Sequence, residues 1–111
     1  MTKTVSLPNG RTWRPQSAAL DHFKDMLNRY ADGQRVTDQQ DHDDLAALLS
    51  VYDAVPGLSE TKTGVGVDYF YRDLDREPRP GGVKTSCFYV MRQDGTAVDF
   101  SAIKAVRVAS A

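Results

Sequence analysis

The sequence predicts an α+β domain, with two N-terminal helices packed on one face of a three- or four-stranded antiparallel sheet. Three observations carry this. Apolar residues recur at helical spacing through the first half of the chain. After Gly64 the period changes to two-residue alternation. Two hairpin dipeptides, Asn9-Gly10 and Asp94-Gly95, mark sharp reversals, because these residue types tolerate positive φ.

In chain order, Val5–Leu7 and Arg11–Trp13 flank Pro8-Asn9-Gly10 and read as a short hairpin or a bent strand. Pro15, or alternatively Ser17, opens a helix over about residues 16–31. Leu20, Phe23, Leu27 and Tyr30 form its stripe, with Met26 beside them, and Gly33 is the stop. Thr37 is the expected N-cap of a second helix, with Gln40 completing a capping box. Leu45, Leu48, Leu49 and Tyr52 give its apolar side, and Pro56-Gly57 ends it. The short linker makes the two helices pack side by side or at an angle. Val65, Val67, Tyr69 and Tyr71 then alternate with Asp68, Phe70 and Arg72 as a strand. Asp73 to Gly82 reads as an exposed, mobile loop, and Thr85 to Arg92 as the next strand. Val98-Asp99-Phe100 pairs back after the Asp94-Gly95 turn. Ser101 to Ala105 is expected as a helical turn, and Ala105 to Val108 as a short strand or a tail.

The expected core is Leu20, Phe23, Leu27, Leu45, Leu48, Leu49, Val65, Val67, Phe88, Val90, Val98 and Phe100. If Val65 and Val67 face it, Tyr69 and Tyr71 share their face. A bulge, or a strand end beyond the helices, is then needed to expose the tyrosines.

The chain has 111 residues, suiting one domain over 1–111. Its formal net charge is −1, which argues against disorder and against a polyelectrolyte partner held by bulk charge. Cys87 is the single cysteine, so no intrachain disulfide forms. No signal-peptide core or membrane-length apolar run is present, and a cytoplasmic protein is expected.

Asp38, Asp41, His42, Asp43 and Asp44 crowd one helix start, where the dipole favours negative charge. Their spacing matches no metal loop, so no metal and no cofactor is expected. His22 and His42 read as solvated side chains, because no nucleophile accompanies them. Cys87 reads as a packed strand residue. Gly64-x-Gly66 reads as close backbone approach, since a dinucleotide fingerprint needs a third glycine and a helix. Asp99 and Ser101 read as backbone caps. The most suggestive surface is basic and aromatic. Lys62, Arg72, Arg76, Arg79, Lys84, Arg92, Lys104 and Arg107 fall near Tyr69, Tyr71 and Tyr89, diluted by Asp68, Asp73, Asp75 and Glu77. Arginine and lysine hold phosphates, and tyrosine rings stack unpaired bases. The candidate nucleic-acid-binding set is Arg72, Arg76, Arg79, Lys84, Arg92, Tyr69 and Tyr71.

The run from Cys87-Phe88 through Arg92-Gln93-Asp94-Gly95 and Asp99-Phe100-Ser101 to Lys104 resembles the hallmark of the DCL (defective chloroplasts and leaves) family. Phe23–Tyr30, Asp44-Leu45-x-x-Leu48-Leu49 and Gly64–Phe70 are similar to its helices and first central strand, so the likeness spans about Leu7 to Val106. Nothing carries over in the loop from Arg72 to Lys84. The resemblance implies an RNA-related role, because the family's founding plant member is tied to plastid ribosomal RNA processing. A related domain sits on a plant-specific RNA polymerase subunit. The family offers no agreed catalytic residues, and none are transferred.

Three functions follow as expectations. The first is a non-catalytic RNA-binding or RNA-processing accessory module. The second is a protein-interaction module docking on a larger protein or ribonucleoprotein complex. The third, and remotest, is a small hydrolase or nuclease, which needs carboxylates and a histidine converging in one pocket.

Overall fold

The computed structural model describes residues 4–54, 62, 64, 66–74 and 86–109. The protein is α+β, and its described residues form three helices and antiparallel sheets of two and three strands. The small sheet is the N-terminal hairpin, β1 (Val5–Ser6) and β2 (Thr12–Trp13). Val5 pairs with Trp13, and Gly10 supplies the positive φ of the turn, at 88°.

Helix α1 runs Gln16–Asn28, three residues shorter than the spacing predicts. The chain leaves the helix at Arg29, and Ala31 N–H is taken by the Gln34 side chain at 2.8 Å. Gly33, at φ 83°, serves the turn that follows. Helix α2 runs Gln39–Asp53. Its N-cap is Asp38 and not Thr37: the Asp38 carboxylate accepts the Asp41 N–H at 3.0 Å. This moves Gln40 out of the capping-box position, and its side chain reaches Asp44 instead, at 3.0 Å. The predicted stop at Pro56-Gly57 lies outside the described residues.

The larger sheet has the order β3 (Val67–Leu74), β4 (Ser86–Arg92), β5 (Ala97–Phe100). Strand β3 continues through Leu74, so Asp73 is strand and not loop. Arg92 to Thr96 closes the β4–β5 hairpin, with Gly95 at φ 85°. The outer edge of β3 is met by the segment 33–36: Val36 N–H donates to Phe70 O at 2.8 Å, and Arg72 N–H to Gln34 O at 3.0 Å. That pairing blunts an edge that would otherwise be open.

The segment after Ser101 is helical, as expected up to Ala105, but the helix continues through the residues expected as a short strand or a tail. It is a third helix, α3 (Ala102–Ala109), which packs against both α1 and α2. The helical part of the core therefore has three members where two are expected. Ala105 and Val106 are buried at this junction, and Ala102 and Ala109 pack beside them.

One core joins residues of all three helices to Phe70, Phe88, Val90 and Phe100. Phe23, Leu45, Leu48 and Leu49 are buried in it, as expected. Leu20, Leu27, Val67 and Val98 pack against its margin, and Val65 lies outside the described residues. The face assignment of β3 is corrected. Alternation from Val67 puts Phe70 outside, yet Phe70 is 0% exposed. The reason is a shift of register between Val67 and Tyr69. The extra residue of a bulge lets Val67 and Phe70, three positions apart, both meet the core. Tyr69 and Tyr71 are thereby turned to the other face.

Candidate functional site

Four side chains line up across the sheet on the face away from the phenylalanines. Tyr71 of β3 stands opposite Tyr89 of β4, and their rings stack at 5.3 Å and 17°. Tyr69 lies 5.9 Å from Tyr71 by ring centroids. The Arg35 guanidinium caps the row, 3.6 Å from the Tyr69 centroid. Such a cation over an aromatic face is held by the ring quadrupole. The row grades from outside to inside: Arg35 is exposed, Tyr69 and Tyr71 are half-buried, and Tyr89 is buried. The Tyr89 hydroxyl donates to Leu74 O at 2.9 Å, which fixes the inner end. Arg35 was absent from the sequence reading. It sits in the irregular link between α1 and α2, and only its bridge to Tyr71 brings it here.

The two described arginines of the expected phosphate-binding set are engaged by the chain itself. Arg72 Nε donates to Asp32 at 2.9 Å, and Nη1 donates to Leu27 O at 2.9 Å and Tyr30 O at 3.0 Å. It thus ties β3 to the end of α1. Ser86 and Arg72, both bonded to Asp32, hold that carboxyl below the usual aspartate range. Arg92 Nε donates to Lys62 O at 2.9 Å. A Cβ at Gly64 would come within 2.8 Å of that nitrogen and would make the Arg92 side chain shift, while its φ of 54° is the conformation that favours glycine. Arg76, Arg79 and Lys84 lie outside the described residues. Lys62 donates from Nζ to Asp99 O at 2.7 Å.

The carboxylate cluster of α2 does more than complement the helix dipole. Asp41 and Asp44 are buried, one turn apart. Asp41 accepts from the Tyr30 hydroxyl at 2.8 Å and from Arg29 at 2.9 Å. Burial first, and the bond to Asp41 second, raise the Tyr30 phenol above its ordinary pKa; the same carboxylate raises Arg29. Asp44 is 0% exposed, and it joins three elements. Asn9 of the hairpin turn and Gln40 each donate to it at 3.0 Å, His22 of α1 lies 3.0 Å away, and Arg11 lies 3.6 Å away. The expectation of a solvated His22 is therefore corrected. Its ring is wedged between Trp13, at 4.9 Å, and Phe23, at 5.0 Å, with Asp44 on one nitrogen. His42 is half-buried, its ring edge-on to Phe70 at 5.3 Å. A histidine and a carboxylate do converge here, but every described partner of Asp44 is a donor of the chain itself. This is a clamp between hairpin, α1 and α2. Among the described residues, no three His, Cys, Asp or Glu side chains gather as a metal ion would require.

Cys87, Asp99 and Ser101 meet at the other end of the sheet. They line a cavity of about 290 Å³ between α1, the start of β4 and the start of α3. Ser101 caps α3, its hydroxyl accepting the Lys104 N–H at 3.3 Å. Among the described residues, no helix is long and apolar enough to cross a membrane.

Comparison with known proteins yields a family and a fold relative. A family model described as "Protein of unknown function (DUF3223)" matches residues 24–106. The solution NMR structure of an uncharacterized protein from Rhodospirillum rubrum is similar at 30% identity, over 91% of this chain and 86% of that one, with a TM-score of 0.70. No curated protein matches. The DCL resemblance is corrected by the family match, which falls on DUF3223 and not on DCL. The RNA-processing role that the resemblance implied loses that support.

Proposed function

We propose, from the premise that the chain belongs to the DUF3223 family, that it is a non-catalytic module binding single-stranded RNA. In this reading the helices cover one face of the three-stranded sheet and leave the tyrosine row to the ligand. The observation that carries it is the row itself: Arg35, Tyr69, Tyr71 and Tyr89 in consecutive contact across two strands. Flat rings on a sheet accept unpaired bases with little regard to sequence, at roughly 1–3 kcal/mol per base. Arg35 extends the platform, because a guanidinium plane also stacks on a base. Tyr69 and Tyr71 are the contact residues, and buried Tyr89 is their support. Arg76, Arg79 and Lys84, which lie between β3 and β4 in the sequence, supply phosphate contacts alongside Arg35. Arg72 and Arg92 hold the platform in place through the chain's own oxygens.

With a net charge of −1, only a few phosphates are neutralised. Affinity is accordingly modest and falls with added salt. The experiment is fluorescence anisotropy with a labelled single-stranded oligoribonucleotide, its duplex and the DNA equivalent. Binding of the single strand, weakened by Tyr71→Ala and by charge reversal at Arg76 and Arg79, supports the reading. Silence at low salt, or indifference to these changes, contradicts it.

The second reading is docking on a larger protein complex. It is favoured by Ile103 and Val108, large apolar side chains exposed on α3 at 43% and 42%. That reading gains if RNA is ignored and Ile103→Asp abolishes a recovered partner contact.

A further inference from the structure

The described lining of the cavity at the end of the sheet includes none of Tyr69, Tyr71 and Tyr89, and the RNA-binding reading makes no use of it. Its described walls come from four elements, with Asp99 of β5 at one side. Leu20, Phe23 and Leu27 belong to α1, Phe88 to β4, and Ile103 and Val106 to α3. Its volume, about 290 Å³, falls at the small end of ligand sites, which run to roughly 300–1,000 Å³. Such a space admits a short apolar body and little more. A protein segment or a nucleotide chain does not fit it.

The charges at the cavity select the head of the ligand. Lys24 of α1 and Lys104 of α3 both line it, and both are exposed. Asp99 is the single acidic residue of the described lining. Helix α3 also begins here, with its positive end at Ser101 and Ala102. Two lysines and a helix start outweigh one carboxylate. A mostly apolar wall with few convergent polar groups is the usual form of a small-molecule site.

We propose that this cavity binds an apolar monocarboxylate, with its hydrocarbon body against Leu20, Leu27 and Ile103 and its carboxylate between Lys24 and Lys104. Both lysines are exposed in the unliganded chain, so they reach the head without burying a charge alone. Asp99 disfavours a second negative group on the ligand and so restricts it to one.

The test uses the full chain, labelled with ¹⁵N, and three probes of one length: octanoate, octanol and octylammonium. Octanoate is expected to shift the amides of Leu27, Phe88 and Ile103 in a saturable way. Octanol binds more weakly, and octylammonium produces no shifts at these positions. The double variant K24E/K104E, at two exposed positions, is expected to keep the spectrum elsewhere and to lose about fivefold or more in octanoate affinity, as two exposed charge contacts allow. Absence of saturable shifts with all three probes would overturn the site. Equal response to the three probes, or an unchanged octanoate affinity in K24E/K104E, would overturn the carboxylate. Shifts confined to residues 69–71 and 89 would place the probes on the tyrosine face and overturn the assignment to the cavity.

Discussion

The two faces of the β3–β4 ladder differ by one position in the sequence and carry opposite chemistry. Phe70 and Phe88, with Phe100 of the neighbouring β5, lie in the core and are essentially unexposed. Tyr69, Tyr71 and Tyr89 face the other way, graded from half-exposed to buried. Both sets are aromatic, and both are in contact within themselves: Phe70 and Phe100 at 6.3 Å, Tyr71 and Tyr89 at 5.3 Å. The difference is the hydroxyl, which tyrosine carries and phenylalanine lacks. A phenylalanine ring gains most by leaving water altogether. A tyrosine keeps one end polar and is stable at a boundary. The first face is spent on stability, and the second is the one the proposed function assigns to a ligand.

Substitutions one residue apart should separate these roles. Phe70→Ala removes a core ring between His42 and Phe100 and should cost about 3–5 kcal/mol, read from urea unfolding. A loss below about 1 kcal/mol would mean that the phenylalanine face is not the core. Tyr71→Ala should cost less, about 1–2 kcal/mol, because the ring is half-buried and its contacts with Tyr69 and Tyr89 are each modest. The same variant should lower single-stranded RNA affinity about tenfold, the reverse of the pattern at Phe70. Arg35→Ala should cost about 0.5–1 kcal/mol of stability, the range of an exposed cation–π contact, and should weaken RNA binding less than Tyr71→Ala does.

The smallest expected effect is a pH dependence at the strand edge. Asp32 is held below its ordinary pKa by Ser86 and Arg72. A depressed carboxyl contributes stability above its unfolded pKa and loses it as pH falls through the folded value. Unfolding followed from neutral pH down into the acid range should show this limb, and Asp32→Asn should flatten it slightly. No change of slope in the variant would show that the Arg72–Asp32 contact contributes nothing in solution.

Much of the fold was legible, and the failures have physical causes. Asn9-Gly10 and Asp94-Gly95 announced their turns, since positive φ restricts the residue types that make them. The expected cap is Thr37, one residue before Asp38; both are good capping residue types, and only the bond to Asp41 shows that Asp38 takes the role. Helix α3 is expected only as a turn over Ser101 to Ala105, and its second half is missed although Ala102, Ala105, Val106 and Ala109 stand at helical spacing. That stripe is short, and its small side chains give a weak signal. The faces of β3 were misassigned because a bulge changes parity and leaves no mark in the alternation. The His22–Asp44 pair and the Arg35–Tyr69 contact join residues 22 and 34 positions apart, and no local rule reports them. For Tyr69 and Tyr71 the sequence analysis requires a bulge or a strand end to leave the core face; the register shifts between Val67 and Tyr69, and both side chains are half-buried.

The central claim, that the tyrosine face takes a single-stranded RNA, is tested most directly by a backbone-amide NMR titration. Short single-stranded RNA, duplex RNA and DNA are added to the labelled domain at two salt concentrations. The account predicts salt-sensitive shifts for the single strand, clustered on Arg35, Tyr69, Tyr71 and their neighbours, with the core amides of Phe88 and Phe100 quiet. Silence with all three ligands, or shifts on α3 alone, would contradict it.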